Sequence, residues 1–222
     1  MKGLLCVILI IFIPILFGCA AYTSLEPVGT GRASGNLSLG GPIISAFDTR
    51  IPVPYAAAGL NYGLSEQLNL NSNLHLLSLA YKIAGMDAGL SWFPTLNDGW
   101  KPTIGVSPRI LAFMSLKSDV SSRFRIYPLV TASALWKSGK GDLYTGMDII
   151  MPVTEPDYNE ETVSAIVSPF AGYRWPLNNQ YSLLTELKWM GANVESNQLA
   201  VEYVPINGHG AVTTLFSLER RF

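Results

Sequence analysis

The chain has 222 residues, of which 14% are charged and 49% are hydrophobic, and its formal net charge at pH 7 is −1. This length is that of one domain. The near balance of acidic and basic residues argues against a nucleic-acid-binding protein and against a polybasic patch for a membrane surface.

Residues 1–19 have the features of an export signal. A basic start is followed by an apolar run from Leu4 and by a small residue before the expected cleavage point. The run ends in Leu16-Phe17-Gly18-Cys19, which resembles the lipobox of bacterial lipoproteins, in which a leucine and a small residue precede a cysteine that is lipidated and becomes the new N-terminus. The resemblance implies a signal peptide of residues 1–18 and lipid on Cys19. An ordinary cleaved signal and an uncleaved anchor helix are the alternatives, although the run is shorter than the roughly 20 residues of a transmembrane helix.

Removal of residues 1–18 takes away Lys2 and Cys6, so Cys19 becomes the only cysteine and the net charge becomes −2. No disulfide framework and no cysteine-based metal site can then form. Residues 19–33 have no hydrophobic period and are rich in Gly, Ser and Thr, which predicts a lipidated tether. Residues 34–222 are predicted to form a single β-barrel domain, for the reasons that follow.

Apolar and polar residues alternate along most of that domain. In residues 67–76, Leu68, Leu70 and Leu74 share one parity, whereas amides and His75 occupy the other. Side chains of a strand point alternately to opposite faces, so this segment is predicted to be a strand with a leucine face and an amide face. The pattern recurs in residues 84–92, 124–136, 163–175, 183–189 and 211–222, and more weakly in residues 34–39, 55–64, 101–114 and 142–151. The predicted fold class is therefore all-β.

The length of these segments and the charges on their polar face indicate a membrane barrel. Many reach about ten residues, and a tilted bilayer-spanning strand has about 9–11. Transmembrane barrels combine a polar interior with an apolar exterior, and a narrow barrel is filled by side chains. The residues predicted to form an ion-pair network in the lumen are Asp87, Arg109, Arg125, Arg174, Glu186 and Lys188. Periodicity alone also allows the reverse arrangement, a lipid-anchored periplasmic lipocalin-like barrel with its apolar face around an apolar ligand.

Composition and the placement of aromatic residues favour the membrane. The charged fraction of 14% is below the roughly 25% of an average soluble domain, and aromatic residues such as Trp92 and Trp100 gather at strand ends. The last alternating segment ends on Phe222. Here the chain resembles bacterial outer-membrane proteins, whose final strand commonly ends in an aromatic residue that the assembly machinery reads. The resemblance implies that Phe222 is an assembly signal and that outer-membrane lipid and the assembly machinery are partners.

The order of turns and loops predicts the topology. If Cys19 lies in the periplasmic leaflet, the short turns 65–67, 94–100, 138–141 and 176–180 fall on the periplasmic side with the N-terminus. The irregular segments 40–54, 115–122, 152–161 and 191–210 fall on the outer side. Outer-membrane barrels have short periplasmic turns, longer outer loops and an even number of strands. The sequence therefore predicts a single antiparallel up-and-down transmembrane barrel of about ten strands (roughly 8–12).

The sequence contains no nucleophile elbow, phosphate loop or His-Glu-x-x-His motif. No catalytic residue, metal site or cofactor is therefore predicted. His75 and His209 fall near the predicted outer rim, and one kind of outer-membrane enzyme of lipid A uses a Ser–His pair there, so such an enzyme is an alternative. The acidic stretch 155–161 has carboxylates that suit Ca²⁺, but it lacks the spacing of a calcium loop, which favours a solvated outer loop.

These patterns indicate where the protein acts better than what it does. They predict a lipid-anchored barrel in the outer membrane of the Gram-negative cell envelope, not an enzyme, with a side-chain-filled polar lumen. Its predicted role is structural or partner-binding through the outer loops, which carry Phe47, Tyr158 and His209 among polar neighbours. The alternatives are the lipocalin-like barrel that binds an apolar ligand and the enzyme that acts on lipid A.

Overall fold

The computed structural model of the protein describes residues 22–46, 49–117, 124–152, 164–196 and 203–222. The predicted signal peptide, Cys19 and the acidic stretch 155–161 lie outside these ranges. Within them the chain forms one short helix, α1 (Leu76–Ala80), and the strands β1 (Ala33–Ala46), β2 (Thr49–Pro52), β3 (Tyr55–Ser65), β4 (Leu68–His75), β5 (Ile83–Thr95), β6 (Thr103–Ser115), β7 (Phe124–Ser138), β8 (Gly141–Ile150), β9 (Ile166–Pro176), β10 (Tyr181–Glu195) and β11 (His209–Arg221). Among the described residues, no helix has the length and apolar character needed to cross a bilayer.

Ten of these strands, all except β2, form a closed antiparallel barrel. Consecutive barrel strands pair with each other, and β1 also pairs with β11, with Leu37 opposite Leu218 at this seam. Closure leaves the barrel without a free edge strand. A membrane-spanning sheet must be closed in this way, because lipid offers no hydrogen-bond partners to the backbone groups of an edge. The predicted fold class, an up-and-down transmembrane-type barrel of ten strands, is confirmed.

The alternation in residues 67–76 becomes the two faces of β4. Leu70 and Leu74 are 47% and 45% exposed on the outside, whereas the amides Asn69, Asn71 and Asn73 are buried in the lumen. Neighbouring strands continue both surfaces, since Leu70 lies opposite Leu90 in the β4–β5 pair. The apolar face is therefore outside, so the lipocalin-like alternative, which places that face around a ligand, is wrong.

A continuous apolar exterior surrounds the barrel. The large side chains exposed on it include Leu37, Leu39, Leu60, Leu70, Leu74, Met86, Leu90, Ile110, Leu143, Leu187, Phe216 and Leu218. A soluble monomer rarely exposes an apolar patch larger than a few hundred Å², whereas lipid-facing residues of a transmembrane barrel are apolar. The exterior is therefore that of a membrane-spanning barrel.

The two ends of the barrel differ. One end, named here the short-turn rim, carries the brief connections at residues 66–67, 96–102, 139–140 and 177–180, together with the start of β1 and the end of β11. Trp92, Trp100, Trp175 and Phe222 are exposed at this rim, where aromatic residues of a barrel meet the membrane interface. The opposite end, the outer rim, carries α1, the β1–β2–β3 hairpin and the connections that are described only in part.

The outer rim contains more regular structure than the alternation predicts. Residues 40–54 are expected to be irregular, but β1 continues to Ala46 and pairs with β2. Gly40 and Gly41 have φ values of 155° and 141°, and a Cβ on either would collide with the backbone of Thr214 or Val53. Glycine is required at this close approach, so residues that suggest a loop in the sequence bend a strand here.

Candidate functional site in the lumen

The lumen is filled with buried polar side chains from successive strands. Ser38 and Ser217 share a hydrogen bond of 2.7 Å between their Oγ atoms across the seam. Asn71 donates from Nδ2 to Ser91 Oγ at 2.6 Å, and Ser107 Oγ donates to the same oxygen at 2.7 Å. Because the inward positions alternate with lipid-facing ones, each strand adds one polar row to the interior.

An ionic network crosses the lumen towards the outer rim. The carboxylate of Asp87 accepts hydrogen bonds from Arg109 Nη1 at 3.0 Å and from Asn73 Nδ2 at 2.9 Å, and its Oδ2 lies 3.3 Å from His75 Nε2. The His75 ring contacts Tyr55 through Nδ1, 3.1 Å from the tyrosine hydroxyl. Asp87 therefore meets an arginine from β6 and an amide and an imidazole from β4.

The same network continues to β10. Arg109 Nη2 donates to Thr131 Oγ1 at 3.1 Å, and Thr131 Oγ1 donates to Asp148 Oδ1 at 2.5 Å. Lys188 Nζ then donates to Asp148 Oδ2 at 2.8 Å and lies 3.1 Å from Glu186 Oε1. We refer to Asp87, Arg109, Thr131, Asp148, Glu186 and Lys188 as the Asp87–Lys188 network.

The described part of the predicted tether lies inside the barrel. Residues 22–28, named here the N-terminal segment, have no helix or strand, yet Tyr22 to Glu26 are all less than 9% exposed. The segment turns inward from the short-turn rim, where Gly31 N donates to Gly63 O at 2.9 Å. Asn69 anchors it by accepting from Val28 N and donating to Glu26 O, both at 3.2 Å. The tether is therefore not a free linker over these residues.

Glu26 is the centre of a second ionic cluster near the short-turn rim. Its carboxylate contacts Arg174 Nη1 at 2.6 Å and also the charged groups of Lys137 and Arg221. Two carboxylates of the barrel wall share these cations, because Arg174 Nε donates to Asp142 at 2.8 Å and Arg221 lies 3.8 Å from Glu219. The members of this Glu26 cluster are Glu26, Lys137, Asp142, Arg174, Glu219 and Arg221.

The charge around Glu26 favours its ionised form. Burial acts to raise the pKa of the Glu26 carboxyl, but Arg174, Arg221 and Lys137 outweigh burial and lower that pKa to about 2. A carboxyl whose pKa is lowered on folding stabilises the protein above its ordinary pKa, and that contribution is lost as the pH falls towards the lowered value. The cluster is therefore fully formed at neutral pH.

Apolar side chains hold the rest of the segment. Tyr22 and Leu25 pack in one buried cluster with four inward-facing wall residues of β7 to β10, which are Leu135, Tyr144, Phe170 and Leu184. A small cavity of about 10 Å³ remains where the segment meets the Asp87–Lys188 network, enough for about one water molecule. Thr23 and Glu186 line it, and Thr23 Oγ1 has no hydrogen-bond partner among the described residues.

The predicted lumen residues fall into two clusters and one outlier. Asp87, Arg109, Glu186 and Lys188 lie in the Asp87–Lys188 network, and Arg174 lies in the Glu26 cluster. Arg125 is exposed, and its membership in the lumen network stays a prediction. It has the inward parity, but it is the second residue of β7 and lies at the outer rim, beyond the filled part of the interior.

Several residues of the site carry no clear signal in the sequence. Glu26 and Tyr22 lie in a stretch without a period, and Lys137 lies at the end of its strand. Asp142 and Asp148 belong to the weakly alternating segment 142–151, where their shared parity is the only sign that both face inward. One signal in the sequence does indicate an apolar contact inside the barrel. Large apolar residues interrupt the polar parity of four strands, and all of them are buried and face inward: Leu135, Tyr144, Phe170 and Leu184.

The other predicted functional residues have simple environments. Phe222 is exposed at the short-turn rim, where its backbone N donates to Ala33 O at 2.9 Å and its ring lies 4.9 Å from the Arg220 guanidinium. His209 Nδ1 lies 3.0 Å from Asn207 O. Among the described residues, the polar contacts of the two histidine rings are with a tyrosine, an aspartate and a backbone carbonyl.

The fold resembles solved outer-membrane proteins. An outer-membrane channel from Pseudomonas putida F1 aligns with a TM-score of 0.50 at 12% identity, over 91% of this chain and 100% of that chain. The translocator domain of the autotransporter NalP from Neisseria meningitidis aligns with a TM-score of 0.41 at 9% identity, over 100% and 95% of the two chains. Ail, the attachment invasion locus protein of Yersinia pestis, aligns with a TM-score of 0.30 at 6% identity, over 87% and 99%. No family model and no curated protein matches the sequence, so the likeness concerns the fold alone.

Proposed function

We propose that the protein is a lipid-anchored β-barrel of the bacterial outer membrane with an occluded lumen, and that it acts through its outer loops in a structural or partner-binding role without catalysis. The observation that supports this proposal is the contrast between the two faces of the barrel. Its exterior is apolar and exposed, as lipid requires, whereas its interior is filled by the Asp87–Lys188 network, the Glu26 cluster and the N-terminal segment.

Occlusion predicts that the purified protein does not conduct. An open porin lumen is a water-filled channel, but here strand side chains meet across the interior and Tyr22 to Glu26 occupy the short-turn end. In planar bilayers, insertion of the full-length protein should produce no steady current above the bare membrane. A porin inserted under the same conditions is the control, and a stable open-channel current from this protein would contradict the filled lumen.

The proposal also assigns an orientation, with the short-turn rim and the N-terminus on the periplasmic side. Short periplasmic turns and long outer loops are the rule in outer-membrane barrels. An epitope inserted between residues 157 and 158 should bind its antibody on intact cells. The same epitope between residues 139 and 140 should bind only after the outer membrane is permeabilised. The opposite labelling pattern would require the inverted orientation.

The lipid anchor predicts a modified N-terminus. The Leu16-Phe17-Gly18-Cys19 ending motivates the expectation that the mature chain begins at Cys19 with attached acyl groups. Mass spectrometry of the purified protein should find this mass, and Cys19→Ala should abolish it. Cys6→Ala is the matched control and should leave the mature mass unchanged, since Cys6 belongs to the removed signal. An unmodified N-terminus at or after residue 20 would exclude the anchor.

A further inference from the structure

The N-terminal segment occupies a part of the barrel wall whose chemistry is that of a ligand site. We infer that this wall binds a small organic anion, a monocarboxylate with an apolar or aromatic body, and that the N-terminal segment occupies the site as an internal substitute for it. The inference rests on the proposed function, because it requires that the segment occlude the lumen in the resting protein.

The first argument is charge. Lys137, Arg174 and Arg221 come from three different strands and meet at the single carboxylate of Glu26. In the described part of the wall, two carboxylates contact these three cations, those of Asp142 and Glu219. Without Glu26 these cations would exceed the two carboxylates by one positive charge. Lys137 and Arg221 are partly exposed, but the Arg174 side chain is only 6% exposed, so it would lose a partner where an unpaired charge is costly. A monoanion is the ligand that restores the balance.

The second argument is hydrogen-bond geometry. Arg174 directs Nε and Nη2 to Asp142, and this leaves Nη1 to donate to Glu26 at 2.6 Å. A guanidinium presents its donors in a fixed planar fork, so the free arm of Arg174 points at one position in the lumen. That position is occupied by a carboxylate oxygen. An incoming carboxylate could take the same place without rearranging the Arg174–Asp142 pair.

The third argument is the apolar wall beside the cations. Tyr22 and Leu25 cover Leu135, Tyr144, Phe170 and Leu184, and the phenol of Tyr144 is already satisfied because it donates to Thr185 O at 3.1 Å. This surface offers area to an apolar group, and binding sites for small molecules combine such walls with few fixed polar groups. A ligand that replaces the segment must therefore carry an apolar body next to its carboxylate.

Access to the site is from the short-turn rim. The segment itself enters there, and it is anchored by Asn69, the first inward-facing residue of β4. The Asp87–Lys188 network lies deeper, towards the outer rim, and would keep the barrel closed on that side. The site is thus a one-sided pocket rather than a pore. Its apparent affinity in the full-length protein is reduced by the fraction of time for which the segment occupies it.

The test compares the full-length protein with a variant that lacks residues 22–28. Phenylacetate is the probe, and its binding is measured by isothermal titration calorimetry in detergent. We expect the deletion variant to bind phenylacetate at least tenfold more tightly than the full-length protein. Benzyl alcohol, which lacks the charge, and acetate, which lacks the apolar body, should both bind much more weakly than phenylacetate.

Substitutions in the deletion variant locate the site. Arg221→Gln should abolish phenylacetate binding, whereas Lys101→Gln, which removes an exposed cation from the turn between β5 and β6, should leave it unchanged. A synthetic peptide of residues 22–28 should displace phenylacetate, and the same peptide with Glu26→Gln should not. Retained heat-modifiability on gels shows that a variant is folded. If the deletion prevents folding, the full-length double variant Leu25→Ser, Glu26→Gln provides the same comparison.

Two results would overturn the inference: no phenylacetate binding by a folded variant with the segment removed or weakened, or binding that survives Arg221→Gln. Neither result affects the occluded lumen of the full-length protein, which is tested by conductance. Conversely, a steady current from the full-length protein would contradict occlusion whatever phenylacetate does. The two failures are therefore distinguishable.

Discussion

Replacing Lys188 by methionine should lower the free energy of unfolding by about 3–5 kcal/mol, the cost of removing one partner from a buried ion pair. Lys188 Nζ is 2.8 Å from Asp148 and 3.1 Å from Glu186. Methionine keeps much of the length and all of the apolar character of the stem. The substitution would therefore leave two neighbouring buried carboxylates without their shared cation while changing the packing little.

The measurement is denaturant-induced unfolding of the protein in lipid vesicles, followed by tryptophan fluorescence and by gel mobility. Lys101→Met is the matched control, because Lys101 is exposed in a turn and substitutions at such surface positions usually change stability by no more than about 0.5 kcal/mol. A loss below about 1 kcal/mol for Lys188→Met would resemble that of a solvent-exposed ion pair. It would mean that water reaches the Asp87–Lys188 network and that the lumen is not filled.

Introducing arginine at Leu90 should destabilise the membrane-inserted barrel by about 2–4 kcal/mol, the cost of a lipid-facing arginine at the bilayer midplane. Leu90 is 40% exposed and lies near the middle of β5, on the exterior beside Leu70. Its pairing partner Leu70 is also apolar. The charge would therefore have to be solvated from within the hydrocarbon region.

The depth of the substitution supplies its control. Leu177 is 59% exposed in the turn between β9 and β10 at the short-turn rim, and arginine near the membrane interface costs only about 0–1 kcal/mol. Unfolding in vesicles should therefore separate Leu90→Arg from Leu177→Arg by about 2 kcal/mol or more. Equal losses for the two variants would indicate that the exterior of β5 does not face lipid.

Much of the barrel follows from alternation because lipid and lumen make opposite demands on neighbouring residues. Leu70 and Leu74 must be apolar on the outside, and Asn71 and Asn73 must be polar on the inside. The residues of each strand therefore indicate which of its faces contacts lipid. The number of strands and the end that carries the short turns follow from the same pattern. The continuation of β1 to Ala46 does not follow from alternation, because Gly40 and Gly41 have no side chains and so interrupt the alternating pattern.

The contents of the lumen were harder to predict because they depend on contacts between distant parts of the chain. The sequence around Glu26 is typical of a linker. Its role depends on Lys137, Arg174 and Arg221, which are distant in sequence and meet around it only in the folded barrel. Parity also says which way a side chain points but not how deep it lies, so the inward parity of Arg125 does not predict its exposure at the outer rim.

The ion pair between Glu26 and Arg221 joins positions that are 195 residues apart, and this separation has a consequence for folding. Contacts between distant positions form slowly, because the chain must first lose the entropy of closing a long loop. Arg221 is positioned by the pairing of β11 with β1 and β10, so the cluster around Glu26 can be completed only when that seam has formed. A folding intermediate with an unpaired β11 would offer the segment only two of its three cations. Sealing of the interior is thus coupled to the closure of the barrel at the β1–β11 seam.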